Sequence, residues 1–160
     1  MVAMKTLEYE RGVTAGQASG YWGVTIQVDD MIKALSKLEH DGEPLLSDPV
    51  VRDDLVGFIM EAKALSLAGR RSGIPALTSD YPMGLALSVK YRGTEYERRM
   101  KQYTASKQGA QSALYVGDAD AVSGGFWQRA YFSNFGATIG GGTTQVQANI
   151  VAEHVLGLPK

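Results

Sequence analysis

The chain has 160 residues, with 16 Lys and Arg against 17 Asp and Glu, and no cysteine. That length suits one domain with its own apolar core, and the near-zero charge gives no field that would gather nucleic acid or an anionic membrane surface. The missing thiols exclude a disulfide framework, a thiolate nucleophile and a Cys-based metal site; charge comes too early in MVAMKTLEYERG for a signal peptide, no stretch reaches the length of a membrane span, and the default expectation is cytoplasmic.

In 13–38 the apolar residues Val24, Val28, Met31, Leu35 and Leu38 recur at spacings of three and four, which predicts a long first helix. Gly12, Gly16, Gly20 and Gly23 lie upstream in the same pattern, and each weakens a helix by roughly 1 kcal/mol relative to alanine. Close approach by another helix, or by a flat ligand, would offset them. EHDGEPLLSDP is turn-rich, and Ser47 or Asp48 can cap a second helix that starts at Pro49, where the absent N–H is harmless. That helix is predicted over 49–68, with Val51, Leu55, Phe58, Ile59, Ala62, Leu65 and Leu67 on its apolar face. GRRSGIPALTSD breaks the pattern. Ser79 or Asp80 then caps a third helix with Pro82 near its start and Met83, Leu87, Tyr91 and Met100 on its inner side, around a polar middle. After VGDADAVSGG comes FWQRAYFSNF, aromatic and short, which the pattern leaves unassigned. No stretch alternates with period two, so the fold class is all-α, most simply an up-down antiparallel bundle.

The last segment, ATIGGGTTQVQANIVAEHVLGLPK, carries Val146, Ile150 and Val155 on one face of a final helix, begun by Thr143 or Thr144 and stopped by Gly157 and Pro159. Thr144 and Gln147 fit the capping-box spacing. Three glycines before such a helix have two readings: a turn that lets the helix re-enter the bundle, or close backbone approach to a ligand whose oxygens meet free N–H groups. His40 and His154 lack ligand spacing, so no metal site is expected, and Trp22 and Trp127 read as core or interface anchors.

GGTTQVQANIVAEHVLGLPK resembles the end of acyl-CoA dehydrogenases, where a Gly-Thr-Ser-Glu-Ile-Gln turn runs into a helix ending in Leu-Gly-Leu-Pro. TLEYERGVTAGQASG is similar to the start of the family's C-terminal helical domain, DGEPLLSDPVVRDDL lies without gaps on its Phe-Gly-Lys-Pro-Leu segment, and WQRAY matches the loop before the turn. The resemblance covers the whole chain but only the C-terminal part of a typical member. The expectation is one domain over residues 1–160, with the N-terminal helical and middle β-domains absent.

The resemblance implies an α,β-desaturation. A carboxylate removes the α-proton of an acyl-CoA thioester, the β-hydride passes to FAD, and the electrons leave to an electron-transferring flavoprotein. Many members carry the catalytic glutamate immediately before the Gly-Thr of the turn. This chain has Gly141 there, which keeps a backbone donor for the thioester oxygen but cannot take a proton. In isovaleryl- and long-chain-specific members the base comes instead from a Leu-x-x-Glu-Arg sequence in the first helix of this domain, and Leu7-Glu8-Tyr9-Glu10-Arg11 places Glu10 on that position. Beside it stands the alternative of Glu10 as a solvated surface charge. Glu8, Arg11 and Gly142 fall on substrate-lining positions, and Thr143, Thr144 and Gln145 on the turn's flavin contacts, where helix capping would account for them equally. Leu38, Asp41 and Pro49 stand where family members touch FAD with other side chains, and the family's Gln-x-x-Gly-Gly loop is not recognisable around YVGDADAVSGG. Those losses make a non-catalytic subunit the alternative; the isolated chain, without the β-domain to cover the flavin ring, is expected to be inactive and to hold FAD weakly at best, and the full protein to be a dimer or tetramer of like or unlike subunits.

Overall fold

A computed structural model of the protein describes residues 28–71, 74–77 and 83–159. They divide between two compact units, one within Lys63–Glu95 and Gly136–Lys160, the other within Ile26–Ala62 and Tyr96–Phe135. The described residues are overwhelmingly helical, as expected. They form helices α1 (Val28–Leu35), α2 (Pro49–Arg71), α3 (Met83–Ser106), α4 (Phe126–Ile139) and α5 (Thr144–His154), with short 3₁₀ segments among the described residues between them.

Helix α1 buries Met31 and Leu35 completely. Each such side chain contributes roughly 1.5–3 kcal/mol of hydrophobic stabilisation. The helix ends three residues before the predicted boundary at Leu38, and the upstream part of that prediction, glycines and Trp22 included, lies outside the described residues. The chain leaves α1 because Asp41 (φ 53°) and Gly42 (φ 80°) form a left-handed two-residue turn. That turn pairs β1 (Glu39–His40) with β2 (Glu43–Pro44) in an antiparallel hairpin. Two consecutive positive φ values match the right-handed twist of a hairpin, and an Asp-Gly pair supplies them at low cost. Strands of two residues are too short for period-two alternation to reveal.

Helix α2 starts as its sequence dictates. Asp48 Oδ1 accepts from Val50 N–H at 2.8 Å, Asp48 O accepts from Arg52 N–H at 3.1 Å, and Pro49 takes the first helical position. Val51 and Leu55 are buried, whereas Ile59 and Leu67, predicted on the same inner face, are 43% and 52% exposed. The apolar stripe of α2 is thus wider than the surface these two units cover.

Helix α3 buries Leu87, Tyr96 and Met100, and its polar middle does not face water. Lys90, Thr94, Lys101 and Thr104 are all buried, at spacings of three, four and seven that keep them on one side of the helix, and Gln108, two residues past its end, is buried too. Buried polar groups need partners. In the second unit Lys101 Nζ donates to Glu97 Oε2 at 2.8 Å and to Asn134 Oδ1 at 2.6 Å, while Gln128 Nε2 donates to Gln108 Oε1 at 2.7 Å. Tyr96 OH donates to Phe58 O at 3.2 Å, and burial, reinforced by Glu61, pushes the Tyr96 phenol up to about 12.

The unassigned FWQRAYFSNF forms most of α4, which continues to Ile139. Trp127 is buried in the core, as expected, but Phe132 and Phe135 are 60% and 44% exposed. Aromatic residues on both sides of α4 blur its amphipathic period. Its entry depends on Gly125, at φ +73°, where a Cβ would lie 2.5 Å from Val116 N. No other residue fits there without backbone movement.

Candidate functional site

The glycine turn joins α4 to α5 inside the first unit. Gly140 N–H donates to Gly136 O at 2.8 Å and Gly142 N–H to Ile139 O at 3.1 Å, which closes α4. Gly141 (φ 68°) and Gly142 (φ 102°) then reverse the chain in left-handed conformations that side chains disfavour. A Cβ at Gly142 would meet only ordinary contacts, at 3.6 Å from Gln147 Cγ and Nε2, so backbone angle rather than space demands glycine there.

Thr143 is the N-cap of α5, its Oγ1 accepting from Val146 N–H at 3.3 Å. The anticipated Thr144–Gln147 capping box is not formed. The cap sits one residue earlier, and Gln147 reaches back to a carbonyl, Nε2 donating to Gly141 O at 2.8 Å. Thr144 turns its hydroxyl onto Glu95 Oε1 at 3.0 Å, placing a carboxylate at the positive end of the helix. Gln145 is exposed, and so is Val146, which was expected on the inner face. The N–H groups of Thr144 and Gln145 precede the first intrahelical bond, made by Gln147 N–H to Thr143 O at 3.0 Å, and have no partner within the helix.

Two side chains absent from the sequence-derived site grip the turn from behind. Lys90 Nζ donates to Gly142 O at 2.9 Å, and Gln147 holds Gly141 O. Lys90 is 4% exposed. Burial lowers its pKa below the ordinary lysine value, opposed by the charge of Glu95. Gln147 is 1% exposed, and its Oε1 finds no donor. An orphaned buried acceptor costs about 1–3 kcal/mol; Gln128 Oε1 in the second unit carries the same cost. Gln147 was legible as the last residue of the Gly-Thr-Ser-Glu-Ile-Gln pattern. Lys90 looked like one more solvated charge in the middle of α3.

Of the predicted site residues, Gly141, Gly142, Thr143, Thr144 and Gln145 come together at this turn. Glu8, Glu10 and Arg11 lie outside the described residues. The turn as described offers backbone donors, a capping hydroxyl and a buried cation; it holds no proton acceptor other than Glu95, which is engaged by Thr144.

The second unit has an open cleft of about 390 Å³ lined in part by Asp54, Phe58, Glu61, Arg99 and Tyr103. Four of its polar groups pair with one another: Arg99 Nη2 meets Glu61 Oε1 at 2.6 Å and Tyr103 OH donates to Asp54 Oδ2 at 2.9 Å, and burial together with that hydrogen bond raises the Tyr103 pKa. His40 and His154 sit 3.5 Å and 4.0 Å from Asp41 and Glu153, and no group of three potential metal ligands occurs among the described residues. No described helix is long and apolar enough to cross a membrane.

The family model for the acyl-CoA dehydrogenase C-terminal domain matches residues 1–156. Acyl-CoA dehydrogenase IpdE1 of Mycolicibacterium smegmatis is 30% identical over 99% of this chain, which spans 36% of that relative's length. The fold recurs in a variant of the Tcur3481–Tcur3483 steroid ACAD, with a TM-score of 0.74 and 23% identity over 99% of this chain and 40% of that one. It recurs also in the ChsE4–ChsE5 complex from Mycobacterium tuberculosis, with a TM-score of 0.70 and 22% identity over 83% of this chain and 34% of that one.

Proposed function

Because this chain belongs to the acyl-CoA dehydrogenase family through its C-terminal helical domain, we propose that it supplies one wall of a flavin-dependent desaturation site and acts together with the family's other two domains. The observation that carries this reading is the 140–145 turn, whose glycine-dependent reversal and N–H groups unused by the helix form a site for an oxygen-bearing ligand. These residues fit a flavin: Thr143 and Gln145 would meet its oxygens, with Thr144 contributing its backbone N–H, since its hydroxyl is held by Glu95. FAD, when bound, accepts the β-hydride of the acyl chain.

Gly141 offers its N–H to the thioester oxygen, where negative charge grows as the α-proton leaves. Glu10 takes that proton on its carboxylate, and Arg11 holds Glu10 or the thioester end of the substrate, with Glu8 lining the same end and Gly142 leaving the turn unobstructed. Two of the solved neighbours are named by a pair of proteins, the ChsE4–ChsE5 complex and the Tcur3481–Tcur3483 steroid ACAD. That likeness supports assembly into a heteromer and a bulky polycyclic acyl-CoA as substrate; electron transfer to an electron-transferring flavoprotein and a cytoplasmic setting belong to the same proposal through the sequence alone.

Leu38, Asp41 and Pro49 favour a second reading, in which this is the structural subunit of such an assembly. They occupy family flavin-contact positions, and Asp41 is committed to the tip of the β1–β2 hairpin. Desaturation by the assembled protein carrying Glu10→Gln separates the two. Loss of about 100-fold or more in kcat, as expected for removal of a general base, supports the catalytic reading; an unchanged rate removes Glu10 from it.

A further inference from the structure

Helix α3 buries a lysine in its polar middle, and that lysine ends on a backbone carbonyl. Lys90 Nζ lies 2.9 Å from Gly142 O and is screened from water. The Gly142 carbonyl and the Thr143 N–H belong to one planar trans peptide unit, so they point to opposite sides. Holding the oxygen toward Lys90 therefore aims the Thr143 N–H away from α3. The cation also draws electron density through the amide, and a polarised amide is a stronger donor, the more so in a site of low dielectric. Gln147 fixes the neighbouring peptide in the same sense by holding Gly141 O at 2.8 Å. Glu95, bonded to Thr144 Oγ1, keeps the Lys90 ammonium electrically balanced.

The geometry points to Lys90 as a positioning residue that sets the direction and strength of the Thr143 N–H donor at the start of α5 through the Gly142 peptide. What that N–H meets rests on the flavin reading above; the coupling itself does not. Because a carboxylate already occupies the helix start beside Thr144, the donor suits a neutral oxygen acceptor, such as a ring or thioester carbonyl, better than a phosphate.

Proton–nitrogen correlation NMR of the 160-residue chain tests the coupling. Lys90→Met, which keeps the length of the side chain and removes the ammonium, is expected to move the Thr143 amide proton upfield by more than any amide later in α5, and Lys90→Arg to bring it back toward wild type. A loss of packing alone would shift α5 broadly and would not be repaired by a cation. Should Lys90→Met fail to fold, Lys90→Gln carries the same comparison, with an intermediate shift expected from a neutral donor. An unmoved Thr143 amide, or one that moves no more than the rest of α5, overturns the assignment. FAD retained by the assembled protein reads the other question: if Thr143→Ala leaves it unchanged while Lys90→Met still displaces the Thr143 amide, the positioning role stands and the flavin reading of the turn fails.

Discussion

Lys90 and Lys101 lie on the same helix, equally buried, and their partners are unlike. Lys101 closes a network of side chains, with Glu97 supplying the countercharge and Asn134 a second acceptor. Everything it touches in that network is fixed by α3 and α4. Lys90 spends its charge on one carbonyl of a glycine turn, at the cost of a lowered pKa, and beside it Gln147 keeps an acceptor without a donor. A completed network reads as structure. An incomplete one beside free N–H groups reads as a place kept for something else.

The contrast breaks first at Lys101. Lys101→Met removes the countercharge of Glu97 and one donor to Asn134 in the second unit, and losing a charged hydrogen bond at a part-buried pair costs about 1.5–3 kcal/mol; urea unfolding should show that loss, and a loss below about 1 kcal/mol would demote the network to a surface-like pair. Thr143→Ala sharpens the other side. It removes the N-cap hydroxyl that accepts from Val146 N–H and should cost about 1 kcal/mol in the same measurement. If Thr143 also meets a ligand oxygen, the substitution should weaken FAD retention by the assembled protein beyond what that loss of stability explains.

Much of the fold was legible where local chemistry and tertiary burial agree. Asp48 and Pro49 announce α2, and the structure uses both as cap and first turn. Legibility failed where they part. The Asp41–Gly42 hairpin is too short for a periodic signal, and α4 has aromatic residues on its buried and exposed sides alike, so its period cancels. At the site, the glycine turn and its threonines were found through their resemblance to a family pattern, because three glycines before a helix are compatible with a plain turn. Lys90 was missed because a lysine's destination depends on what the fold brings to it, here a carbonyl from a turn more than fifty residues along the chain.

The central claim is that this domain still serves a flavin site although the usual glutamate of the turn is Gly141. Flavin content of the protein purified in its native assembly tests it most directly. The account predicts stoichiometric FAD that is bleached on adding a polycyclic acyl-CoA. An assembly that folds, holds its partner and carries no flavin would contradict it.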